Sequence, residues 1–341
     1  MRQEQGRAAE GNEMRNRIFG RTGREVSEIG FGAWAIGASW GHVDENDALD
    51  ALRHALDSGV TFIDTADVYG DGRSEKLIAR VLKERGADRP FVATKAGRRL
   101  PSQTVAGYTQ KNLTEWIERS LRNLEVDTLD LVQLHCPPTD LYYHPEVFGF
   151  LDTLKQQGKI RDYGVSVERI EEAIKAIEYP GVVSIQIIYN IFRQRPEELL
   201  FDLALQNQVA IIARVPLASG LLSGKFRADS KFEETDHRQF NRNGEAFDVG
   251  ETFSGVPYDV GLAAVERVRP LVADSTIMAR FALRWILMSE AVTVAIPGAR
   301  NAEQARSNAE AAALPPLAPE VMEKLKAIYD EDIRPHVHQR W

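Results

Sequence analysis

The sequence predicts an α/β protein: a single (β/α)8 barrel, of the TIM-barrel type, with an N-terminal β-hairpin and an additional C-terminal helix. Three observations carry this. Eight short apolar runs are rich in β-branched residues, amphipathic stretches alternate with them, and no linker divides the 341 residues midway. A chain this long would as readily hold two domains, but a barrel of roughly 250 residues with insertions accommodates it as one.

The apolar runs fall at residues 26–29, 60–63, 91–94, 129–134, 162–167, 183–188, 209–213 and 292–296. Continuous sequences such as V-T-F-I and V-A-I-I-A read as parallel strands buried on both faces. Helical stretches separate them at 44–58, 74–85, 109–124, 145–157, 171–177, 196–206 and 276–288. In the first of these, Ala48, Leu49, Leu52, Ala55 and Leu56 make one helical face, and Gly59 stops it. Residues 301–313 follow the last run, and 319–333 form the additional terminal helix. Ahead of the first run, R-I-F-G-R-T-G-R-E-V reads as a hairpin turning at Thr22-Gly23 and plugging the bottom of the barrel. Residues 1–16 are expected to be a flexible polar tail and 17–341 a single domain. A long polar segment, 227–257, breaks the rhythm after the seventh run, and loops of that length are usually functional or disordered.

Composition narrows the classes. The chain is 43% hydrophobic and 27% charged with a formal charge of −8. No basic cluster offers a nucleic-acid face. No apolar run reaches the roughly 18 residues of a membrane helix, and the N-terminus has no signal-peptide core. Cys136 is the only cysteine, so no intrachain disulfide forms. The expectation is a cytoplasmic protein with neither nucleic-acid nor membrane partner; oligomeric state is left open.

One motif is misleading. Gly30-Phe-Gly32-Ala-Trp-Ala35 matches the dinucleotide fingerprint G-x-G-x-x-A. That fingerprint needs a helix opening at the glycines, whereas Gly37, Ser39, Trp40 and Gly41 intervene before one begins near Asp44. The match is read as coincidental.

Chemistry gathers at the ends of three adjacent runs. The second ends in F-I-D-T-A-D-V-Y-G, placing Asp64 at its end and Tyr69 on the following loop; the third ends at Lys95 and the fourth at His135. Barrel catalysis sits at this C-terminal face. A free tyrosine, with a pKa of about 10, is a poor proton source at neutral pH, and a nearby ammonium lowers that value. Asp64 would balance the lysine, with Asp67 a competitor, and a histidine across the pocket would bond a developing oxyanion. Singly, Asp64 reads as a turn residue, Lys95 as a loop cation, Tyr69 as a packing aromatic and His135 as a core imidazole. Their joint placement reverses that preference. His135-Cys136 lacks further metal-ligand spacing, so no metal is expected, and Cys136 reads as a small buried residue.

These motifs resemble the aldo-keto reductases, in particular the bacterial branch that is also similar to potassium-channel β subunits, over residues 17–317. The resemblance implies a catalytic tetrad of Tyr69 as acid, Lys95 and Asp64 tuning it, and His135 orienting the carbonyl, with Trp34, Tyr69 and His135 facing substrate. It implies NADPH/NADP+ as cofactor. Its expected contacts are Gly32, Ala33, Trp34 and Asp64; Ser166 and Gln186 for the carboxamide; Arg214, Pro216, Leu217, Ser219, Gly220, Leu222, Gly224 and Lys225 near nicotinamide and pyrophosphate; and Ile296, Gly298, Arg300, Gln304 and Asn308 near the adenosine. A glycine turn entering a helix suits an anion on physical grounds alone, and Arg300 adds a fork for phosphate.

Two departures from the resemblance stand out. Val167 replaces a common asparagine, and Arg214 replaces the aromatic that commonly stacks on nicotinamide. A guanidinium plane stacks on a ring, and its charge is expected to disfavour the oxidised cofactor. The function implied is NADPH-dependent reduction of aldehydes or ketones to alcohols. The alternatives are an NADP-binding redox-sensing regulatory subunit with slow turnover and a dehydrogenase working mainly oxidatively. Specificity belongs to the rim loops 34–43, 96–108, 137–143 and 227–257, which name no particular carbonyl substrate.

Overall fold

In the computed structural model, which describes residues 14–37, 41 and 43–341, an antiparallel hairpin leads into an eight-stranded parallel sheet. Most of the tail expected at 1–16 lies outside the described residues, as do positions 38–40 and 42 of the first rim loop. The hairpin strands β1 (Asn16–Ile18) and β2 (Glu25–Ser27) pair through a turn at Gly20–Thr22 and Gly23. Gly20, at φ +52, lies so close to the barrel that a Cβ would stand 2.7 Å from the Gln208 carbonyl oxygen. No other residue type fits that approach.

The barrel strands follow in chain order and in spatial order: β3 (Phe31–Gly32), β4 (Phe62–Asp64), β5 (Phe91–Ala96), β6 (Leu129–His135), β7 (Ile160–Ser166), β8 (Val182–Ile188), β9 (Ala210–Arg214) and β10 (Val292–Ala295). Parallel bridges Ile29↔Ala295 and Gly32↔Gly298 join the last strand to the first and close the ring. Seven of the eight expected strands are present. The first is a correction: residues 26–29 are divided between the hairpin strand β2 and the single bridge at Ile29, and the barrel begins with β3. Glycine hides that strand. A Cβ on Gly32 would meet the Ile296 carbonyl oxygen at 2.6 Å, so the closing strand has no room for the β-branched residues that mark the others.

The helices are α1 (Glu45–Asp57), α2 (Arg73–Arg85), α3 (Gln110–Leu124), α4 (Pro145–Gln156), α5 (Ile170–Ile177), α6 (Leu200–Gln206), α7 (His237–Phe240), α8 (Tyr258–Val268), α9 (Met278–Leu287), α10 (Ala302–Ala309), α11 (Pro319–Ile328) and α12 (Arg334–Val337). Asp44, Thr109 and Asn301 cap α1, α3 and α10 by accepting backbone N–H bonds. Helix α8 went unread because it follows the long polar segment directly. No helix opens at the Gly30–Gly32 motif, where a short turn, Ala35–Gly37, follows β3. None of the described helices is long and apolar enough to cross a membrane.

Side chains alternate across each strand, and one set fills the barrel. At the bottom, Phe19 from the hairpin turn lies 5.6 Å from the Phe62 ring and 5.3 Å from Phe91, joined by Val26, Leu131, Ile212 and Val294. The hairpin thus plugs the barrel with a phenylalanine. One step higher on the same inner faces the residues turn polar: Phe62 gives way to Asp64, Ala93 to Lys95, Leu131 to Gln133 and Ile212 to Arg214.

The segment 227–257 is held in part by Trp341, the last residue of the sequence. The Trp341 indole N–H donates to Asp248 at 2.9 Å, and its ring covers Gly255, where a Cβ would sit 2.4 Å from it.

Phe19→Ala leaves a cavity beside the Phe62 and Phe91 rings and is expected to destabilise the protein by about 3–5 kcal/mol. Urea unfolding of the variant checks this, and a loss under about 1 kcal/mol is incompatible with a plugged barrel.

Candidate active site

Three neighbouring strands bring an acid, a cation and an imidazole to one rim. The Lys95 ammonium donates to Asp64 Oδ1 at 2.5 Å, to the Thr65 carbonyl at 3.0 Å and to the Tyr69 hydroxyl at 3.2 Å. Asp64 and Lys95 are 2% and 1% exposed, so the pair is deeply desolvated. The competitor, Asp67, does not reach the lysine side chain; only its backbone N–H bonds the Lys95 carbonyl. The other Asp64 oxygen accepts from Gln186 Nε2 at 2.7 Å and from Gln133 Nε2 at 3.1 Å.

Burial drives the Lys95 ammonium down, but Asp64 and Tyr69 outweigh it and leave the group above its ordinary value. The Tyr69 phenol corrects a simple expectation. Lys95 pulls it down, yet burial raises it more, and Asp64 adds to the rise. The site therefore holds a protonated phenol at neutral pH. His135 is buried, and desolvation followed by the fields of Arg98, Lys95 and Arg214 holds it well below its ordinary range. It is a neutral imidazole, set edge-on to the Tyr69 ring at 5.9 Å, and its Nδ1 has no hydrogen-bond partner among the described residues. Trp34 stacks over Tyr69 at 6.2 Å and contacts His237 at 4.6 Å.

Beside His135 stands a charge cluster that the sequence did not reveal. Arg98, from the loop after β5, donates to Glu251 at 2.8 Å and to Glu168 at 3.2 Å. Arg214, at the end of β9, donates to Glu168 at 2.9 Å and to the Val167 carbonyl at 3.0 Å, and lies 3.8 Å from Glu251. Burial raises Glu251, but Arg98 and Arg214 outweigh it and hold that carboxylate low; at Glu168 burial dominates and the shift is upward. Arg214 is therefore an ion-paired cation, and Glu251 is the firmly ionised carboxylate of the cluster. Cys136 adjoins this cluster, its thiol pushed up to about 12 by burial, which leaves no thiolate nucleophile at neutral pH.

A pocket of about 430 Å³ runs from the barrel mouth across the ends of β8, β9 and β10 to the start of α10. At the mouth it is lined by Gly32, Trp34, Asp64, Tyr69 and His135; along the floor by Ser166, Gln186, Arg214 and Ile296; beneath the loop after β9 by Pro216, Leu217, Ser219, Gly220 and Lys225; and at the far end by Gly298, Arg300, Gln304 and Asn308. Ala33, Leu222 and Gly224 do not line it. Ala33 and Leu222 are buried in the core, and Gly224 turns the loop past Met278. Lys95 lies behind Asp64 and Tyr69, off the pocket wall. Sequence reasoning missed Arg238, Glu251, Ile277 and Ser307, all of which line it.

These residues fit a pyridine dinucleotide. The loop after β9 places Val215, Ala218, Ser219 and Gly220 at positive φ, in a tight turn in which Ala218 and Gly220 donate their N–H groups to the carbonyls of Val215 and Leu217 and Lys225 adds a cation for phosphate. Arg300 sits at the opening of α10, whose first turn Asn301 caps. The Arg214 side chain lines the floor with Ser166 and Gln186.

A family model described as the aldo/keto reductase family matches residues 28–330. The chain is 32% identical over 292 residues to aldo-keto reductase YhdN of Bacillus subtilis, covering 85% of this chain and 86% of that protein. It is 27% identical to a probable voltage-gated potassium channel subunit beta of rice, covering 92% and 96% of the two chains. Among solved structures, the holo form of aldo-keto reductase AKR11C1 from Bacillus halodurans aligns with a TM-score of 0.74 at 29% identity, over 93% of this chain and 96% of that one.

Asp67 offers a test of the site's electrostatics. Its carboxyl is buried with no cation in ion-pair reach among the described residues, and burial, then Glu75, pushes it up to about 7. A raised folded-state value means stability is full below the unfolded value of about 3.9 and declines as pH rises toward 7. Asp67→Asn is therefore expected to raise Tm at pH 8 by several degrees and to change it little at pH 4. A gain equal at both pH values counts against this assignment.

Proposed function

The chain belongs to the aldo/keto reductase family, and on that premise we propose that it is a cytoplasmic, NADP-dependent reductase that converts aldehydes or ketones to alcohols with Tyr69 as proton donor. The observation that carries this is the hydrogen-bonded line Asp64–Lys95–Tyr69 at the mouth of the pocket. When bound, reduced nicotinamide supplies the hydride to the carbonyl carbon.

The residues of the chain do the rest. The carbonyl oxygen lies between the Tyr69 hydroxyl and the neutral His135 ring, which polarises it without surrendering a full proton. As negative charge gathers on that oxygen, the phenolic proton moves to it and Lys95 stabilises the phenolate left behind. Asp64 keeps the ammonium aimed at Tyr69. Trp34 shields the site from water on one side. Ser166 and Gln186 would hold the nicotinamide carboxamide, the loop from Pro216 to Lys225 the pyrophosphate, and Arg300 with Gln304 and Asn308 the adenosine end, where a guanidinium favours a 2′-phosphate.

A second reading, a cofactor-binding regulatory subunit with slow turnover, draws on the likeness to the rice channel subunit. An oxidative dehydrogenase would show itself in the same assay run with NADP+ and alcohols.

NADPH oxidation is followed against a panel of aldehydes and ketones for wild type and Tyr69→Phe. Turnover is expected in the wild type and to fall roughly a hundredfold or more in the variant, with NADPH affinity unchanged. NADPH binding without turnover on any carbonyl favours the regulatory or oxidative reading. Because the phenol is raised above its ordinary value, reduction should persist through neutral pH and fall only in the alkaline range. Arg300→Ala is expected to weaken NADPH roughly tenfold to a hundredfold while leaving NADH nearly unaffected; equal losses for both would remove the assigned 2′-phosphate contact.

A further inference from the structure

Asp64 has two oxygens, and only one of them serves Lys95. Oδ2 is held by two side-chain amides, Gln186 Nε2 at 2.7 Å and Gln133 Nε2 at 3.1 Å, and the amides touch each other, Gln186 Nε2 to Gln133 Oε1, at 3.3 Å. Their orientation is fixed by chemistry: a carboxylate only accepts, so both glutamines turn their NH2 groups toward it.

The backbone makes this meeting possible. Gln133 is the register partner of Lys95 between β5 and β6, so the two side chains enter the barrel side by side. On the other side, Gln133 is registered with Gly164 of β7. A Cβ on Gly164 would stand 2.1 Å from Ser184 Oγ, so no side chain separates β6 from β8 and the two amides reach one another across the gap. Gln133 is fully buried and does not line the pocket, whereas Gln186 does. A buried, non-contacting amide in a strand of Leu, Val and His has no packing advantage over the apolar residues around it. Its hydrogen bond accounts for its presence.

We propose that Gln133 is a positioning residue: with Gln186 it clamps Asp64 in the single orientation that aims Lys95 at the Tyr69 hydroxyl. The inference rests on the reductase reading above and deepens it. Gln186 also joins the two halves of the site, because its amide NH2 donates to Asp64 and to Gln133 while its carbonyl is left for a partner in the pocket. Gln133 has no such second duty. Its loss should therefore slow the chemical step without changing the cofactor's hold, and the loss of Gln186 should disturb both.

The test compares Gln133→Met, which keeps length and removes the donor, with Gln133→Glu, in the full chain. Gln133→Met is expected to lower kcat roughly tenfold or more, the worth of a charge-assisted hydrogen bond, with KM and NADPH affinity within about twofold. Gln133→Glu places a second carboxylate against Asp64 and should be slower still at pH 8. It recovers as pH falls, because its protonated carboxyl donates to Oδ2 as the amide did. No packing role produces that pH-dependent rescue. Undiminished kcat in Gln133→Met, or loss in both variants without rescue at low pH, overturns the proposal. A wild type that reduces no carbonyl marks the failure of the reductase reading instead. The contact is then decided by thermal unfolding: Gln133→Met and Asp64→Asn together should lower Tm by less than the sum of their separate effects, and strict additivity rejects the clamp. Should Gln133→Met fail to fold, Gln133→Glu alone carries the test through its pH profile.

Discussion

The buried pair of Lys95 and Asp64 is the contact on which the rest of the site depends. An ammonium at 1% exposure is tolerable only beside a compensating carboxylate. That requirement places both residues on the inner faces of adjoining strands, Asp64 on β4 and Lys95 on β5, two residues beyond Ala93, the register partner of Asp64. The pair is no device for stability, since well-packed apolar residues would serve a barrel core as well or better. It persists for what the ammonium does at its third hydrogen bond, to Tyr69. Once Asp64 is needed on one side, its second oxygen needs donors, and Gln133 and Gln186 are drawn into an interior that would otherwise be aliphatic.

That demand explains the two-layer interior. The lower half is closed by Phe19, Phe62 and Phe91, rings that give the barrel its packing energy. One residue pair higher, the same inner faces carry Asp64, Lys95, Gln133 and Arg214. The apolar plug supports the polar layer by keeping water from reaching it from below. Unsolvated from that side, the charges act on one another in a medium where their fields are strong. The depressed imidazole of His135 and the elevated phenol of Tyr69 are both consequences of this dryness.

Much of this was legible in the sequence, for identifiable reasons. Asp64, Lys95 and His135 each end an apolar run, and a charged residue at that place breaks the strand's composition visibly. Gln133 is different. It lies within such a run, in L-V-Q-L-H, and only its two-residue spacing from His135 signals that both face the interior. The strand β3 escaped because its glycines carry no β-branched signature. The segment V-S-E-I was mistaken for it, since Val26 and Ile29 are buried for another purpose, the plug and the closing bridge. Arg98, Glu168 and Glu251 were beyond reach for a plainer reason. They come from three separate rim loops, and their meeting is set by how those loops fold, which no periodicity records.

The quartet they form with Arg214 changes how the long loop after β9 should be understood. Glu251 enters the active-site rim from that loop, and its carboxylate is engaged by Arg98 and Arg214, groups rooted at the ends of β5 and β9. The neighbouring stretch of the loop is fixed independently by Trp341 at Asp248 and Gly255. A segment tied at both places cannot be exchanged without regard for the charges beneath it. Removing Glu251 would leave Arg98 and Arg214 sharing one buried glutamate, an uncompensated cation beside His135 and the floor of the pocket. The long rim loop thus also holds the electrostatic balance of the pocket floor beneath it.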